Sequence, residues 1–390
     1  MPGPLHGVRV IDLTHALAGP YGTMLFTDLG ADVIKVEPAH GDVTRDLGPN
    51  IPEDTVRAFG GYFQSVNRGK RSLVLDLKSE GDADLLRELV KEADVLVENF
   101  SLGVMDRLGL SYESLQEINP KLVYGSLRGY GDPRLGESPY AAWPAMDISI
   151  QAQAGAMGIT GLEDGTPIKI GPGIGDIFPG TLLSVGILAA VISARETGKG
   201  QLVDVAMYDA ILSLSERIVY QHSYTGAVPA PAGNGHPFWS PFDVFEAKDG
   251  WIAIAAPTPP RWRALCGAMG RPELAEDERF NSPSNRSARS GEVKTIVEGW
   301  TSVRTRAEIV DALGGIVPVG PVNTVVDIVN DPHVTARDMI VEVEQPGADR
   351  TVQIAGAPIK LSGTPSGVKG RAPLLGEHND DIRNADTRWL

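Results

Sequence analysis

Apolar and polar positions follow two rhythms through the first 130 residues. Residues 8–13, 32–37, 72–77, 94–98 and 122–126 are short apolar runs of strand length. Between them, residues 21–29 and 80–91 carry helical spacing, with Leu85, Leu86, Leu89 and Val90 on one side. Short strands alternating with helices predict βαβ units and a parallel sheet, hence an α/β fold. Right-handed crossovers then place ligands at the carboxyl ends of the strands. The predicted strand ends carry Thr14 to Pro20, Glu37 to Asp42, Lys78-Ser79 and Asn99-Phe100, which together read as one rim.

Further along, the apolar run at residues 182–193 predicts a buried helix, too short to span a bilayer. Residues 206–224 read as one long helix. Pro, Gly and Asn break the pattern at residues 229–241, predicting a linker or active-site loop. Residues 243–256 read as a hairpin turning at Asp249-Gly250, followed by helical patterns at 261–269, 292–300 and 306–313. This part predicts a smaller α+β domain over 228–325. Strand-like pieces at 340–343 and 351–354 follow, and the chain ends in a polar tail.

A chain of 390 residues buries a large core and predicts two domains. The formal charge of −15 argues against a nucleic-acid partner, which needs a basic face, but not against a small anion. Cys266 is the single cysteine, in an apolar helical pattern, so it reads as a packed thiol. Without a signal-peptide pattern or a membrane span, the expectation is a cytoplasmic enzyme. There is no dinucleotide fingerprint, P-loop, nucleophile elbow or H-E-x-x-H, and the histidines have no ligand spacing. The expected chemistry therefore uses neither a metal nor a nucleotide redox cofactor.

The candidate chemistry centres on Gly171-Pro172-Gly173-Ile174-Gly175-Asp176, just before the apolar run. Glycines let a ligand approach the backbone, and a helix start offers unpaired N–H groups to an anion. Asp176 there is either a helix cap or a carboxylate nucleophile. Asn67-Arg68-Gly69-Lys70-Arg71-Ser72 is a basic knot in an acidic chain. It reads either as a phosphate site or as a solvated strand entrance.

These pieces, in this order, resemble the family III CoA-transferases. The resemblance rests on residues 7–15, Ala18-Gly19-Pro20, residues 29–37, the basic knot and Val97-Glu98-Asn99-Phe100. Asp106-Arg107-Leu108-Gly109, Gly175-Asp176, Thr197-Gly198-Lys199-Gly200-Gln201 and residues 372–378 complete it. It implies a large Rossmann-like domain (1–205), a connecting helix (206–227), the small domain (228–325) and a return segment (326–390) that completes the large one. It also implies an interlocked homodimer. The substrates would be an acyl-CoA donor and a carboxylic acid acceptor, with coenzyme A as the group carried.

By the same resemblance, Asp176 is the nucleophile and forms an aspartyl-CoA thioester. His15, Ala16 and Leu17 would lie along the pantetheine and thioester. Leu75, Leu77, Lys78, Asn99, Phe100 and Arg107 would hold adenine and phosphates, although Leu75 and Phe100 also read as core. Arg107 could instead pair with Asp106 or Glu98. Asp147, Leu17, Gly233, Gly235 and His236 fall on the substrate side, with Trp143, Phe238 and Trp239 as further lining. Oxyanion donors are expected from residues 233–236 and from the main chain near Ala18-Gly19.

The chain departs from formyl-CoA transferases at Leu17, where they carry Gln, at Pro38, where they carry Arg, and in a shorter glycine segment. Formate and oxalate are therefore not expected as substrates; short dicarboxylates or branched or aromatic monocarboxylates are. Acyl-CoA racemases of the superfamily use a His-Asp pair where this chain has Met146-Asp147, and methionine cannot shuttle a proton. A racemase, an intramolecular CoA-transferase and a non-catalytic CoA-binding protein are the alternatives to transfer between two acids.

Overall fold

Six short strands, all parallel, make the central sheet: β1 (Arg9–Asp12), β2 (Asp32–Glu37), β3 (Arg71–Val74), β4 (Val95–Glu98), β5 (Val123–Arg128) and β6 (Leu202–Ala206). The computed structural model describes residues 1–384 and Trp389, so the polar tail and the end of the 326–390 segment lie partly outside the described residues. The strands run in the order β3-β2-β1-β4-β5-β6. That is the doubly wound arrangement, with its switch point between β1 and β4.

Successive residues of β1 explain why both faces must be covered. Val10 packs with Phe26, Val97 and Ile187 on one face, whereas Ile11 packs with Ile34, Leu89 and Leu96 on the other. Period-two alternation of apolar residues on both faces leaves no wet side, which is the condition under which parallel sheets are stable.

The apolar run of residues 182–193 belongs to a longer helix, Ile174–Thr197, of 24 residues. By length and composition this helix is long enough to cross a membrane, which corrects the shorter span read from sequence. It packs closely on the first helix, Ala18–Asp28. A Cβ on Gly180 would lie 2.2 Å from the Ala18 carbonyl oxygen, and one on Gly22 would lie 2.7 Å from that of Gly180. Glycine at these two positions is what lets the backbones approach. Burial of the helix is partial, since Val185 and Ile192 are exposed.

The helix expected over 206–224 is two, Met207–Leu214 and Arg217–Thr225. Ser215 sits at the break, buried, with its hydroxyl bonded back to the Ile211 carbonyl. A serine bonding four residues back bends a helix and competes with its continuation. The second piece buries none of its residues.

By internal contacts the chain forms two compact units. The first comprises Met1–Met157, Lys169–Val228 and Pro332–Leu390, and the second Gly158–Ile168 and Pro229–Asp331. The first unit holds the parallel sheet and a hairpin of β10 (Ile340–Glu344) and β11 (Thr351–Ala355). The second holds an antiparallel sheet of β7 (Phe242–Ala247), β8 (Gly250–Ala255) and β9 (Val319–Pro321). Its core gathers Phe245, Ile254, Trp262, Phe280 and Val297, and Cys266 is fully buried among them as a packed thiol.

Candidate functional site

The site forms where β1 and β4 diverge. Beyond β1 the chain runs through Thr14, His15, Ala16 and Leu17 into the first helix; beyond β4 it runs through Asn99 and Phe100. Asn99 fastens the two loops: its Oδ1 accepts the His15 N–H at 2.9 Å and its Nδ2 donates to the His15 carbonyl at 2.9 Å. The next residue, Ala16, has φ of 65°. A non-glycine residue there costs about 1–2 kcal/mol, so the surroundings must hold it.

They hold it with buried charge. Asp12, at the end of β1, is fully buried and accepts from the backbone and hydroxyl of Thr14. Lys70 Nζ reaches Asp12 Oδ2, the Pro20 carbonyl, Thr23 Oγ1 and Asn67 Oδ1 at 2.8–3.0 Å. Lys35 Nζ donates to the Thr14 carbonyl at 2.8 Å and to Asp42 Oδ2 at 2.9 Å. Burial works against the Asp12 charge, but Lys70 and Lys35 outweigh it and hold the carboxyl down at about 2.

The basic knot is therefore not a phosphate site, nor is it solvated. Lys70 is committed to Asp12, Arg68 to Asp28 at 2.6 Å and Arg71 to Asp32 at 3.1 Å, all buried. Each carboxylate partner lies dozens of residues upstream, where no local pattern reveals the pairing.

Asp176 stands in the first turn of the Ile174–Thr197 helix. The N-cap position of that helix is Gly173, which has no side chain to cap it. Asp176 is thus not a cap, and no described side chain or N–H bonds its carboxylate. The N–H groups expected to be open at this helix start are all engaged. Ile174 N donates to Pro172 O, Gly175 N to Asp147 Oδ1 at 2.8 Å, and the Asp176 and Ile177 amides to Gly173 O. Without donors to stabilise its charge, Asp176 is raised to about 6 by burial and by the nearby Asp147.

Asp147 begins the Asp147–Gln153 helix. Its Oδ1 accepts from Gln151 Nε2 and Gly175 N, both at 2.8 Å, and its Oδ2 faces Lys169 Nζ at 3.4 Å. The glycines keep this contact tight. A Cβ on Gly175 would lie 2.8 Å from the Asp147 carbonyl oxygen, and one on Gly173 2.9 Å from Leu17 Cδ2. Tyr62, on the helix Gly61–Asn67, completes the surroundings: burial, then the charges of Asp176, Asp42 and Asp147, raise its hydroxyl above the ordinary value.

A cavity of about 410 Å³ opens on Asp176. It gathers His15, Ala16, Leu17, Asn99 and Phe100 from the predicted set, together with Trp143. Met146 also lines it, 73% exposed, where a racemase pair would need histidine. The remaining predicted residues of the first unit do not line it. Leu75 is core, 2% exposed, so any ligand contact there falls to its backbone. Leu77 packs partly buried against the same core, and Lys78 and Arg107 are exposed. Neither carboxylate suggested for Arg107 pairs with it, because Asp106 is taken by Arg134 and Glu98 by Arg128.

Gly233, Gly235 and His236 belong to the second unit, where Gly235 and His236 line a cavity of about 350 Å³ with Trp239, Phe242 and Lys294. The amides of Gly233, Gly235 and His236 donate to carbonyls of Gly161, Ala232 and Phe242, so they are not open oxyanion donors in this conformation. His236 Nδ1 accepts the Phe238 N–H at 3.1 Å, which leaves its other ring nitrogen to carry the proton when neutral. Among the described residues no group of acidic, histidine or cysteine side chains is arranged to hold a metal ion.

Sequence reasoning missed Gln151, Lys169, Tyr62 and Lys35. Gln151 was within reach, one helical turn after Asp147. The others carry no local signal, since each meets the site only through the fold.

The family profile described as CoA-transferase family III matches residues 5–379. A succinyl-CoA:mesaconate CoA-transferase of Haloarcula hispanica is 48% identical over 97% of this chain and 96% of its own length. An acetyl-CoA:oxalate CoA-transferase of Acetobacter aceti is 42% identical over 93% of this chain and 90% of its own. Among solved structures, a CAIB/BAIF family protein from Brucella suis superposes with a TM-score of 0.86 at 37% identity, covering 98% of this chain and 99% of that one.

Proposed function

The chain belongs to CoA-transferase family III, and from that premise we propose that it moves CoA from a succinyl-CoA-like donor to a short dicarboxylic acid through a thioester on Asp176. What supports the covalent route is the bare Asp176 carboxylate lining the cavity, raised to about 6 and so ionised at neutral pH while remaining basic enough to attack.

In this route Asp176 Oδ attacks the thioester carbonyl carbon of the donor. The C–S bond breaks, leaving CoA thiolate and an acyl-aspartyl anhydride. The thiolate then attacks Asp176 Cγ, the anhydride C–O bond breaks, and the donor acid leaves as its carboxylate. The acceptor carboxylate attacks the same carbon and expels thiolate, giving the second anhydride. Thiolate attack on the acceptor's acyl carbon releases the new acyl-CoA and restores Asp176. No proton is consumed.

Each attack makes an oxyanion. The first helix supplies donors for it: Ala18–Asp28 has no side-chain cap and no acidic residue in its first turn, and Ala18 lines the cavity. Exposed Lys78 and Arg107, with no described ion pair, suit the phosphates of CoA.

Two observations support the acid class: the cavity walls and the likeness to one of the relatives. Leu17, Trp143 and Met146 offer apolar contact beside Asp176, which favours a carbon skeleton over oxalate or formate. The chain's likeness to a succinyl-CoA:mesaconate enzyme points to acids of that size. The test is succinyl-CoA incubated with a panel of mono- and dicarboxylic acids, products read by mass. New acyl-CoA with short branched or unsaturated dicarboxylates is expected. No exchange with any acid, together with deuterium entering the acyl α-carbon, would replace transfer with epimerisation.

The homodimer is part of the proposal. Val185 and Ile192 on the nucleophile helix and Val219, Tyr220 and Tyr224 on Arg217–Thr225 are exposed apolar residues of the first unit. Light scattering should give twice the 41.5 kDa chain mass; a fully active monomer would remove the dimer.

A further inference from the structure

We infer that Lys169 is a positioning residue for the nucleophile: it tethers Asp147 to the loop before Asp176, and its charge limits how strongly Asp147 repels the Asp176 carboxylate. The inference rests on Asp176 being the reacting group.

The two carboxylates lie beside the same glycine, Gly173. The direction of a Cβ on that glycine lies 4.0 Å from both Asp147 Cγ and Asp176 Oδ2. Two like charges so placed make the proton of Asp176 harder to lose. A protonated Asp176 is no nucleophile, so the arrangement needs a cation that does not itself occupy the reacting carboxylate.

Lys169 meets that need. Its ammonium donates to Ile170 O at 2.8 Å and Gly171 O at 3.1 Å and faces Asp147 Oδ2 at 3.4 Å, matching its three N–H groups. Among the described residues it is the cation paired with Asp147, and Asp176 has none. The buried Gln151 works beside it, donating to Asp147 Oδ1 and accepting the Ile170 N–H at 3.0 Å. The loop from Lys169 to Gly175 is thus fastened to the Asp147–Gln153 helix by Lys169, Gln151 and Gly175.

The other polar groups around Asp176 do not substitute for this cation. Tyr62 faces it from the Gly61–Asn67 helix as a neutral phenol. His15 lines the cavity from the β1 loop, and Met207 from the following helix is apolar. Arg128 is committed to Glu98 and Asp132. Asp209 on Met207–Leu214 acts on Asp204 of β6.

The experiment compares the full-length wild type with Lys169→Gln, Lys169→Arg, Asp147→Asn and the Lys169→Gln/Asp147→Asn double variant. Two readouts are taken: kcat/KM for transfer against pH, and a carbon-13 NMR titration of aspartate-labelled protein, with the Asp176 signal assigned by its loss in Asp176→Asn. Lys169→Gln should move the acid limb and the Asp176 titration up by about 0.5–1 pH unit. That is a three- to tenfold loss at the acid edge that closes as pH rises. Lys169→Arg should keep the wild-type midpoint. Asp147→Asn should move it down, and adding Lys169→Gln should then shift it little. A uniform loss at every pH with an unmoved midpoint would make Lys169 merely structural and overturn the inference, as would an unchanged variant. Should transfer prove not to use Asp176, the turnover of Asp176→Asn reports that failure, while the NMR titration still decides the coupling.

Discussion

Asp176→Asn should lower CoA transfer by about a thousandfold or more while making the fold more stable at neutral pH. The loss follows from chemistry: an amide cannot form the anhydride or carry CoA as a thioester, and removing a nucleophile typically removes most of the catalysed rate. The wild type mixed with donor acyl-CoA should show a covalent CoA adduct by intact mass, sensitive to hydroxylamine, and the variant none. Retained turnover would end the covalent proposal.

The stability gain follows from linkage. Asp176 is raised from 3.8 to about 6 by burial and by Asp147. Its charged form is therefore disfavoured in the fold, and the penalty is present above about pH 6 and disappears as pH falls toward 4. Two units correspond to about 3 kcal/mol, which water reaching the half-buried carboxylate reduces to about 1–2 kcal/mol. Urea unfolding at pH 7.5 should show Asp176→Asn as the more stable protein, and at pH 4 the difference should vanish. An equal difference at both values would mean that charge is not the cause. The same titration sets the sign for activity: transfer should fall as pH drops through about 6.

Lys70→Met should cost about 3–5 kcal/mol of folding stability, because it leaves Asp12 as a buried charge whose nearest cation is gone. It also strips a donor from Pro20 O and Asn67 Oδ1. Against a typical total of about 5–15 kcal/mol, this is enough to leave much of the protein unfolded at growth temperature. The double change Asp12→Leu with Lys70→Met should recover part of the loss, since replacing both partners removes the orphaned charge. The urea midpoint reads both effects, and a loss below about 1 kcal/mol in the single variant would show that Lys35 alone suffices. Recovered stability need not bring recovered activity, because Asp12 also holds Thr14 at the root of the His15–Leu17 loop.

The local pattern of the chain was enough to reveal the parallel sheet, the run of βα units and the ends of β1 and β4 that line the cavity. Apolar period and glycine placement are properties of neighbouring residues, and they dictate strands and turns directly. The same reasoning brought Asp176, Leu17, Asn99 and Phe100 forward, because each sits at a strand end or helix start. Other features were decided only by the fold. Asp147 takes the Gly175 N–H at the start of the Asp176 helix from 28 residues away, and whether the basic knot is open depends on Asp12, 58 residues from Lys70. Lys169, Tyr62 and Lys35 joined the site in the same way. Ion pairing and loss of water are set by which distant residues share a buried volume, and that information appears only once the sheet order is in place.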